Sequence, residues 1–378
     1  MKDHTAVLYK EKKECCGCGG CEDACPAGAI RIVREREGFS YPKVDPGLCT
    51  GCGRCAKVCP LKEDSRETQA NAYYGVQAKE EKVRHGSSSG GMFPVLAAYV
   101  FRQQGVVYGA AFNEKMEVAH RPARNMEELE GLKKTKYVQS SLQGVYKSIQ
   151  KQLEDGRWVL FCGTPCQAHG LKKFLRKPYP RLILTDLICY GAPSPGVWRS
   201  YVRDVEQKHR GRMTAFSFRD KRNRDNGHTC AYVVNGKEYA GDLNRNPYCR
   251  MYFTNYIIRP SCHSCRFCSV DRDSDMTIGD YWGIERVRPD LDDGMGTSVV
   301  ILHTEKAKEI WEQVKEELSW FACEEKDVLQ PRLTGPTAAG TGRGLFMALY
   351  GLLPFSAFQV LFTKAVSGGV WLRRLLRR

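Results

Sequence analysis

Two runs of cysteines near the start of the chain have a spacing that indicates metal chemistry. Both follow the pattern C-x2-C-x2-C-x3-C, and a proline comes directly after each run. The first run is Cys15, Cys18, Cys21 and Cys25, and the second is Cys49, Cys52, Cys55 and Cys59. In this pattern three thiolates of one run and the fourth thiolate of the other run bind one [4Fe-4S] cluster. We therefore predict that Cys59 completes the cluster of the first run and Cys25 that of the second.

Zinc ribbons are the alternative for clustered cysteines. Zinc sites use two C-x2-C halves, however, and have no reason to repeat an eight-cysteine pattern with a proline after each run. Between the runs, residues 29–45 predict two short strands around a turn. The segment is therefore predicted to be an α+β ferredoxin-like module that spans residues 1–65. Cys16 is surplus to the pattern and is interpreted as a bystander.

A second group of cysteines lies further along the chain. The predicted strand 158–162 ends in Gly163, Thr164, Pro165 and Cys166, and a predicted helix follows. Ligand sites are common at such strand ends in α/β sheets, and a helix N-terminus lowers the pKa of a thiol. The remaining members of the group are Cys189, Cys262, Cys265 and Cys268. By themselves these residues fit a zinc site, a cluster or free thiols; two clusters upstream favour a third [4Fe-4S] cluster.

The elements that position these residues alternate between short β-branched runs and helical patterns. This alternation predicts an α/β domain with a largely buried sheet. The predicted strands are 106–112, 158–162, 182–188, 214–218, 276–282 and 298–302, and the predicted helices are 91–103, 140–154, 165–176, 195–208 and 305–319. We place a polar linker at 66–78, the α/β domain at 79–335 and a helical, basic tail at 336–378.

Two further motifs could bind an anion. Residues 84–91, with the sequence RHGSSSGG, precede an apolar helix, where free backbone N–H groups could hold a phosphate; a plain N-cap loop fits the residues equally. Arg219 and Arg272 follow or precede predicted strands, where arginines can clamp anions. Surface salt bridges are the alternative for these two arginines.

The number of cysteines and the net charge restrict which class of protein this can be. The chain has 18 cysteines in 378 residues and a net charge of +15. Disulfide scaffolds are short and secreted, and the N-terminus shows no secretion signal, so we expect a cytoplasmic protein with cysteine-bound metal. The positive charge suits acidic partners. We expect no nucleic-acid partner because no nucleic-acid-binding module is visible.

Taken together the motifs resemble the coenzyme F420 hydrogenase/dehydrogenase beta-subunit family of iron–sulfur flavoproteins. The matching segments are RHGSSSGG (84–91), TKYVQSSL (135–142), VLFCGTPCQAHGLK (159–172), DLICYGAPSPGVW (186–198), FSFRDK (216–221), RPSCHSCRFC (259–268) and RDSDMTIGDYWG (272–283). The resemblance implies that the α/β domain binds FAD and one [4Fe-4S] cluster. It implies Cys166, Cys189, Cys262 and Cys265 as the cluster ligands; Cys268 departs from the family pattern.

The same resemblance implies which residues contact the flavin. They are Ser87, Ser88, Ser89, Gly90, Gly91, Lys136, Tyr137, Gly163, Thr164, Arg219 and Arg272. His169 and His85 lie within these motifs and are the candidates for supplying a proton. A structural role is the alternative for both histidines.

The predicted function is electron transfer between a carrier and a substrate through the clusters and FAD. Ferredoxin and reduced coenzyme F420 are the candidate acidic carriers. The alternative is an electron-relay subunit of a larger redox complex, with substrate chemistry on a partner oxidoreductase or transferase subunit. Residues 344–363 are uncharged and a basic end follows. For this tail we expect core packing, with peripheral membrane contact as the alternative.

Overall fold

The computed structural model describes residues 5–62, 71–225 and 227–363. The strands in chain order are β1 (Ile30–Arg34), β2 (Ser40–Val44), β3 (Ala72–Ala78), β4 (Val106–Phe112), β5 (Val118–Ala123), β6 (Val159–Gly163), β7 (Leu182–Leu187), β8 (Met213–Asp220), β9 (Thr229–Val234), β10 (Lys237–Asp242), β11 (Met276–Asp280), β12 (Ser298–Leu302) and β13 (Leu318–Cys323).

The α-helices are α1 (Gly20–Asp23), α2 (Arg54–Lys57), α3 (Glu81–His85), α4 (Met92–Arg102), α5 (Met126–Leu129), α6 (Val145–Glu154), α7 (Pro165–Leu175), α8 (Pro195–His209), α9 (Pro247–Phe253), α10 (Ile284–Val287), α11 (Glu305–Val314), α12 (Glu325–Val328), α13 (Pro331–Thr334) and α14 (Arg343–Leu349). Short 3-10 helices are Lys12–Glu14, Leu243–Arg245, Pro260–Ser264, Pro289–Leu291 and Lys315–Glu317.

The N-terminal module has the two-fold layout that its repeated cysteines predict. Strands β1 and β2 form an antiparallel hairpin, with Ile30 paired to Val44. Each short helix, α1 and α2, follows the second cysteine of a run and begins after a glycine, Gly19 or Gly53, in the left-handed conformation. Glycine adopts positive φ without the steric cost that a side chain adds, so the chain can turn tightly at both places.

An eight-stranded sheet forms the centre of the α/β domain, in the order β13-β3-β12-β11-β7-β6-β4-β5. Strands β4, β6, β7 and β11 are parallel, so their carboxyl ends meet at one edge. Alternate residues of these strands face two different cores. One core packs against α4 and α11, and the other packs against α6 and α7. Because helices pack on both faces of the sheet, the strands have nearly continuous apolar runs.

A smaller antiparallel sheet, β10-β9-β8, stands beside the large one. Its inner face packs on α8 and α9 around Trp198, Phe218 and Tyr248, all buried. Phe346, Phe355 and Phe362 from the C-terminal residues complete the same core.

The structure confirms the alternation of strands and helices but corrects several boundaries. The proposed linker 66–78 is wrong in its second half, because residues 72–78 form β3 between β12 and β13; residues 66–70 lie outside the described ranges. The helix predicted at 140–154 starts only at Val145, since Gly144 has a left-handed backbone. The helix predicted at 305–319 ends at Val314, because Leu318 already belongs to β13.

The apolar C-terminal stretch divides into two helical pieces rather than one long helix. Helix α14 ends at Leu349, and residues 355–363 form the second piece after Pro354. Phe358 and Met347 are buried in the core, as predicted, whereas Leu345 and Leu352 are exposed. In the described ranges, no helix combines the length and apolar character that a membrane span needs. The basic end, 364–378, lies outside the described residues, so membrane contact there stays a prediction.

The N-terminal module packs closely on the α/β domain. The Asp23 carboxylate accepts hydrogen bonds from the backbone N–H groups of Gly144 and Tyr146, both at 3.1 Å, at the start of α6. The Ser194 hydroxyl donates to the Glu37 carbonyl at 2.6 Å. At Gly196 an added Cβ would lie 2.5 Å from the Gly38 Cα atom, so the β1–β2 turn and α8 touch backbone to backbone.

We expect Gly196→Ala to destabilise the protein by about 1–3 kcal/mol, because the methyl group forces the β1–β2 turn away from α8. The midpoint of thermal unfolding, followed by circular dichroism, should fall by several degrees. The matched control is Gly344→Ala, also in a helix, where an added Cβ meets nothing within 4 Å. Equal midpoints for the two variants would contradict this account of the contact.

Candidate functional site

The cysteines of the N-terminal module line two separate cavities. The first cavity, which we name the inner site, has Cys15, Cys18, Cys21 and Cys59 in its wall. The second cavity, the outer site, has Cys25, Cys49, Cys52 and Cys55 in its wall; Cys55 also borders the inner site. Each cavity thus receives three cysteines from one run and the fourth from the other. The crossed ligand assignment fits this arrangement.

The two cavities differ in their exposure. At the outer site Cys52 is exposed. At the inner site Cys18 is buried against α7, where a Cβ added to Gly170 would lie 3.2 Å from the Cys18 Sγ atom. The inner site therefore faces the α/β domain and the outer site faces solvent.

The downstream cysteines also come together. Cys166 stands in the first turn of α7, Cys189 follows β7, and Cys262 and Cys265 lie in and after the 3-10 helix Pro260–Ser264. Electrostatic interactions connect these four thiols, which we name the third site. Cys268 is hydrogen bonded to Cys265, so the structure also keeps this fifth cysteine close to the group.

Burial and mutual repulsion make these thiols hard to ionise by themselves. Burial, followed by the neighbouring thiolates of Cys166 and Cys265, raises the pKa of Cys262 to about 12. Burial, and then Cys262, raises the pKa of Cys189 well above its ordinary value. Several thiolates held together in a buried place need a cation to offset their charge. The donor set therefore fits an iron–sulfur cluster; in the described ranges no group of three His, Cys, Asp or Glu side chains is arranged to hold a single metal ion.

Cys16 is not the bystander that its sequence position predicts. Its thiol is buried and is hydrogen bonded to both Cys18 and Cys166. Cys18 belongs to the inner site and Cys166 to the third site. Cys16 thus joins the two sites through side-chain contacts, and sequence spacing could not reveal this because Cys166 is far along the chain.

The glycine- and serine-rich loop 87–91 lies at the carboxyl edge of the large sheet. Its hydroxyl groups are used within the protein: Ser87 donates to the Val83 carbonyl at 2.7 Å, and Ser89 donates to the Thr297 carbonyl at 2.8 Å. Ser88 accepts from the Thr135 N–H at 2.6 Å. The loop therefore has a fixed shape in front of α4. Gly90 has no room for a side chain, since an added Cβ would lie 2.1 Å from the Val76 carbonyl oxygen.

Positive side chains surround this loop. The buried ammonium group of Lys221 donates to the carbonyls of Arg84 and Ser89, at 2.8 and 2.6 Å. Burial, followed by the charges of Arg219 and Arg84, lowers the pKa of Lys221 from 10.5 to about 7. Burial likewise lowers the pKa of Lys136 to about 7. Arg84 and Arg219 are paired with Asp293 and Asp280, so Lys221 and Lys136 are the cations that an anionic ligand would meet here.

The other proposed flavin contacts divide into two groups. Arg219 forms an ion pair with Asp280 and a hydrogen bond with Tyr137, close to Lys221. Gly163 and Thr164 lie at the end of β6 and the start of α7, next to Cys166. Both groups stand at the carboxyl edge of the sheet.

Arg272 has a structural partner in the interior. Its guanidinium lies 3.0 Å from Asp186, with both side chains buried, and also donates to the Ser269 carbonyl at 2.7 Å. Thr277 and Ser274 donate to the same carboxylate at 2.7 and 2.9 Å. This network holds the loop that carries the last cysteines against the sheet. A flavin contact of Arg272 stays a prediction.

The two candidate histidines lie apart. The Nδ1 atom of His169 is 2.8 Å from Asp273, and its ring packs on Phe267 in the cysteine loop. His85 is exposed at the end of α3, just before the 87–91 loop. Catalytic roles for both stay predictions. Lys221 and the buried Arg259 lie within the matching segments, but the sequence assigns them no role because their partners are distant in sequence.

Comparison with known families agrees with this geometry. Residues 14–62 and 41–93 each match a 4Fe-4S dicluster domain. Together with the two cysteine cavities, these matches define an iron–sulfur electron-transfer protein with a ferredoxin-like module joined to an α/β domain. Residues 156–326 match the family described as the C terminus of the coenzyme F420 hydrogenase/dehydrogenase beta subunit. Over these residues the α/β domain belongs to the coenzyme F420 hydrogenase/dehydrogenase beta-subunit family.

Among solved structures, the chain is similar to one from the study of xenon derivatization of the F420-reducing [NiFe] hydrogenase complex from Methanosarcina barkeri. The two chains are 17% identical, the alignment covers 81% of this chain and 94% of that one, and the TM-score is 0.45. No curated protein sequence gives a significant match.

The buried Lys221 generates a pH prediction. In the folded protein its pKa is about 7, against 10.5 for an ordinary lysine. Between these values the unfolded chain binds more protons, so the stability of the wild type rises with pH relative to Lys221→Met. We expect the thermal midpoint of the wild type minus that of the variant to increase by several degrees from about pH 6.5 to about pH 9.5.

The control for this measurement is Lys43→Met, because Lys43 is exposed. Its midpoint should keep a constant offset from the wild type over the same pH range. A constant offset for Lys221→Met as well would show that the lysine does not carry the pH dependence.

Proposed function

We propose that this chain is an iron–sulfur flavoprotein oxidoreductase. It passes electrons between an acidic carrier and a substrate through the outer site, the inner site, the third site and FAD. Ferredoxin and reduced coenzyme F420 are the candidate carriers. Family membership supports the class of redox chemistry, and the arrangement of the cysteines supports the order of the centres.

The contact between the inner and third sites is the observation that carries the proposal. The side-chain contacts of Cys16 with Cys18 and with Cys166 connect a cysteine of the module with a cysteine of the α/β domain. Electron transfer weakens steeply with distance, so two centres in side-chain contact are suited to exchange electrons. A free-standing carrier would have no need for this contact.

The chain's own residues would bind each centre and set its reduction potential. Cysteine thiolates would hold the clusters, and burial together with hydrogen bonds to sulfur would set the reduction potentials. The Ala192 N–H, for example, donates to the Cys262 Sγ atom at 3.4 Å. The clusters move single electrons, whereas a flavin accepts or gives two. Clusters and flavin together would therefore connect one-electron carriers with two-electron carriers.

FAD is assigned to the surroundings of the 87–91 loop. The ammonium groups of Lys136 and Lys221 donate to backbone carbonyls rather than to carboxylates, and their charge suits the pyrophosphate of a dinucleotide. The start of α4, directly after Gly91, offers backbone N–H groups to the same anion. Tyr137, packed among Phe218, Tyr252 and Phe253, offers an aromatic surface beside this charge.

Anaerobic purification followed by iron, sulfide and flavin analysis tests the set of cofactors. We expect about twelve iron atoms and one FAD for each chain, since each [4Fe-4S] cluster contributes four iron atoms. Cys166→Ala should lower the iron content to about eight atoms while the ferredoxin clusters remain. The matched control Cys323→Ala, in strand β13 and outside the three sites, should keep all the iron.

Eight iron atoms and no flavin in the wild type would contradict the proposed third site and the FAD. An unchanged iron content in Cys166→Ala would contradict only the ligand role of Cys166 and would leave the third site itself in place.

A turnover assay separates an enzyme from an electron-relay subunit. The purified chain is mixed anaerobically with reduced F420 or reduced ferredoxin, and the visible spectra of the clusters and flavin are followed. Multiple turnovers with a small-molecule acceptor are expected for the enzyme. Reduction of the clusters without turnover, together with a stable partner protein by size analysis, would favour the relay subunit.

A further inference from the structure

Arg259 is a fully buried arginine between the N-terminal module and the α/β domain. Its backbone precedes the third site, and the Cys262 N–H donates to the Arg259 carbonyl at 3.0 Å. Its side chain extends the other way, into the module. The guanidinium thus lies between two groups of cysteines that are far apart in the sequence.

Every nitrogen of this guanidinium contacts a group at the boundary. Nε donates to the Cys15 carbonyl at 2.8 Å, and Nη2 donates to the Ser40 carbonyl at 3.0 Å. Nη1 donates to the Gln139 side chain at 3.0 Å, and Gln139 in turn donates to the Cys16 carbonyl. The guanidinium also lies 4.2 Å from the centre of the Tyr41 ring. These contacts fix the position of the charge.

The negative partner of this charge is sulfur rather than a carboxylate. Nη2 lies 3.6 Å from the Cys15 Sγ atom. Within the described ranges, no Asp or Glu oxygen lies within 4 Å of the Arg259 side-chain nitrogens. A buried charge costs several kcal/mol unless a nearby opposite charge offsets the loss of water. The anionic cluster that Cys15 would bind would supply that opposite charge.

The glycine beside Arg259 shows how tightly this contact is built. Gly17 has a φ of +73°, and an added Cβ would lie 2.8 Å from the Nη1 atom of Arg259. The loop between Cys15 and Cys18 therefore has room for the guanidinium only because residue 17 lacks a side chain.

We propose that Arg259 is the counter-charge of the inner-site cluster and raises its reduction potential. A cluster with four thiolate ligands is anionic and gains one more negative charge on reduction, so a fixed cation stabilises the reduced form more than the oxidised form. The inner site is also the more buried of the two ferredoxin sites, and burial alone disfavours the added negative charge. Arg259 offsets that effect and keeps the inner site able to accept an electron from the outer site. This inference rests on the proposed ligands of the inner site.

The test is a redox titration of the anaerobically purified full chain, monitored by electron paramagnetic resonance. The Cys15→Ser and Cys49→Ser variants identify which signals belong to the inner and outer sites. We expect Arg259→Gln to shift the reduction equilibrium of the inner-site cluster at least tenfold toward the oxidised form, which is about 59 mV for one electron. The reduction equilibrium of the outer-site cluster should change by less than about 1.5-fold.

Two further variants separate charge from packing. Arg343 is a second buried arginine at this boundary, and its guanidinium bonds Glu37 at 2.9 Å and the Ile258 carbonyl at 2.7 Å. Arg343→Gln should weaken the packing of the module but leave the inner-site potential unchanged. Arg259→Lys keeps the charge and loses part of the hydrogen bonding, so its potential should stay closer to the wild type than to Arg259→Gln.

The outcomes distinguish this inference from the proposed function. Unchanged potentials in a fully loaded Arg259→Gln protein, or equal shifts in Arg259→Gln and Arg343→Gln, would overturn the role of Arg259 and leave the proposed function intact. Arg259→Gln could lose the inner cluster altogether. In that case a cluster retained in Arg259→Lys would support the role of the positive charge, and loss of the cluster from both variants would overturn that role. A wild type without an inner-site cluster would overturn the ligand assignment and this inference together.

Discussion

The contact between the N-terminal module and the α/β domain is the constraint on which the other features depend. Two redox centres exchange electrons only when little material separates them, so the proposed electron path requires the direct contact that the loop at Cys15–Cys18 makes with helix α7. Gly170 permits this approach on the helix side, and Gly17 leaves room for Arg259 and Gln139 beside the same loop. The cap that Asp23 places on α6 and the backbone contact of Gly38 with Gly196 hold the module in the same position from further away.

The topology of the large sheet then arranges the chemistry along one edge. Cys166 follows β6, Cys189 follows β7, and Asp280 ends β11, and these strands are neighbours in that order. The 87–91 loop joins the same edge through the hydrogen bond from the Gly90 N–H to Ser298, at the start of β12. A cysteine-rich region therefore adjoins a positively charged region without any insertion or separate domain. In a parallel sheet this arrangement follows directly, because carboxyl ends of the strands share one edge.

The sequence predicts those parts of the molecule whose signal is local. The repeated cysteine spacing predicts both cavities, and the apolar runs at 106–112 and 298–302 coincide with β4 and β12. Strand β3 is missed because its residues follow a polar stretch and carry no long apolar run. The roles of Cys16, Arg259 and Lys221 are missed for a different reason: each contacts residues more than a hundred positions away, and no local pattern records such a pairing.

Strand β3 also bears on how this protein can be divided. It comes immediately after the ferredoxin module in the chain, yet it lies inside the large sheet, hydrogen bonded to β12 on one side and β13 on the other. A cut at residue 79 would leave the module with an unpaired strand and the sheet with a gap that exposes two edges. The α/β domain can therefore be separated, exchanged or fused to another module only at a point before Asn71. The natural boundary between the two parts is earlier than the change in composition indicates.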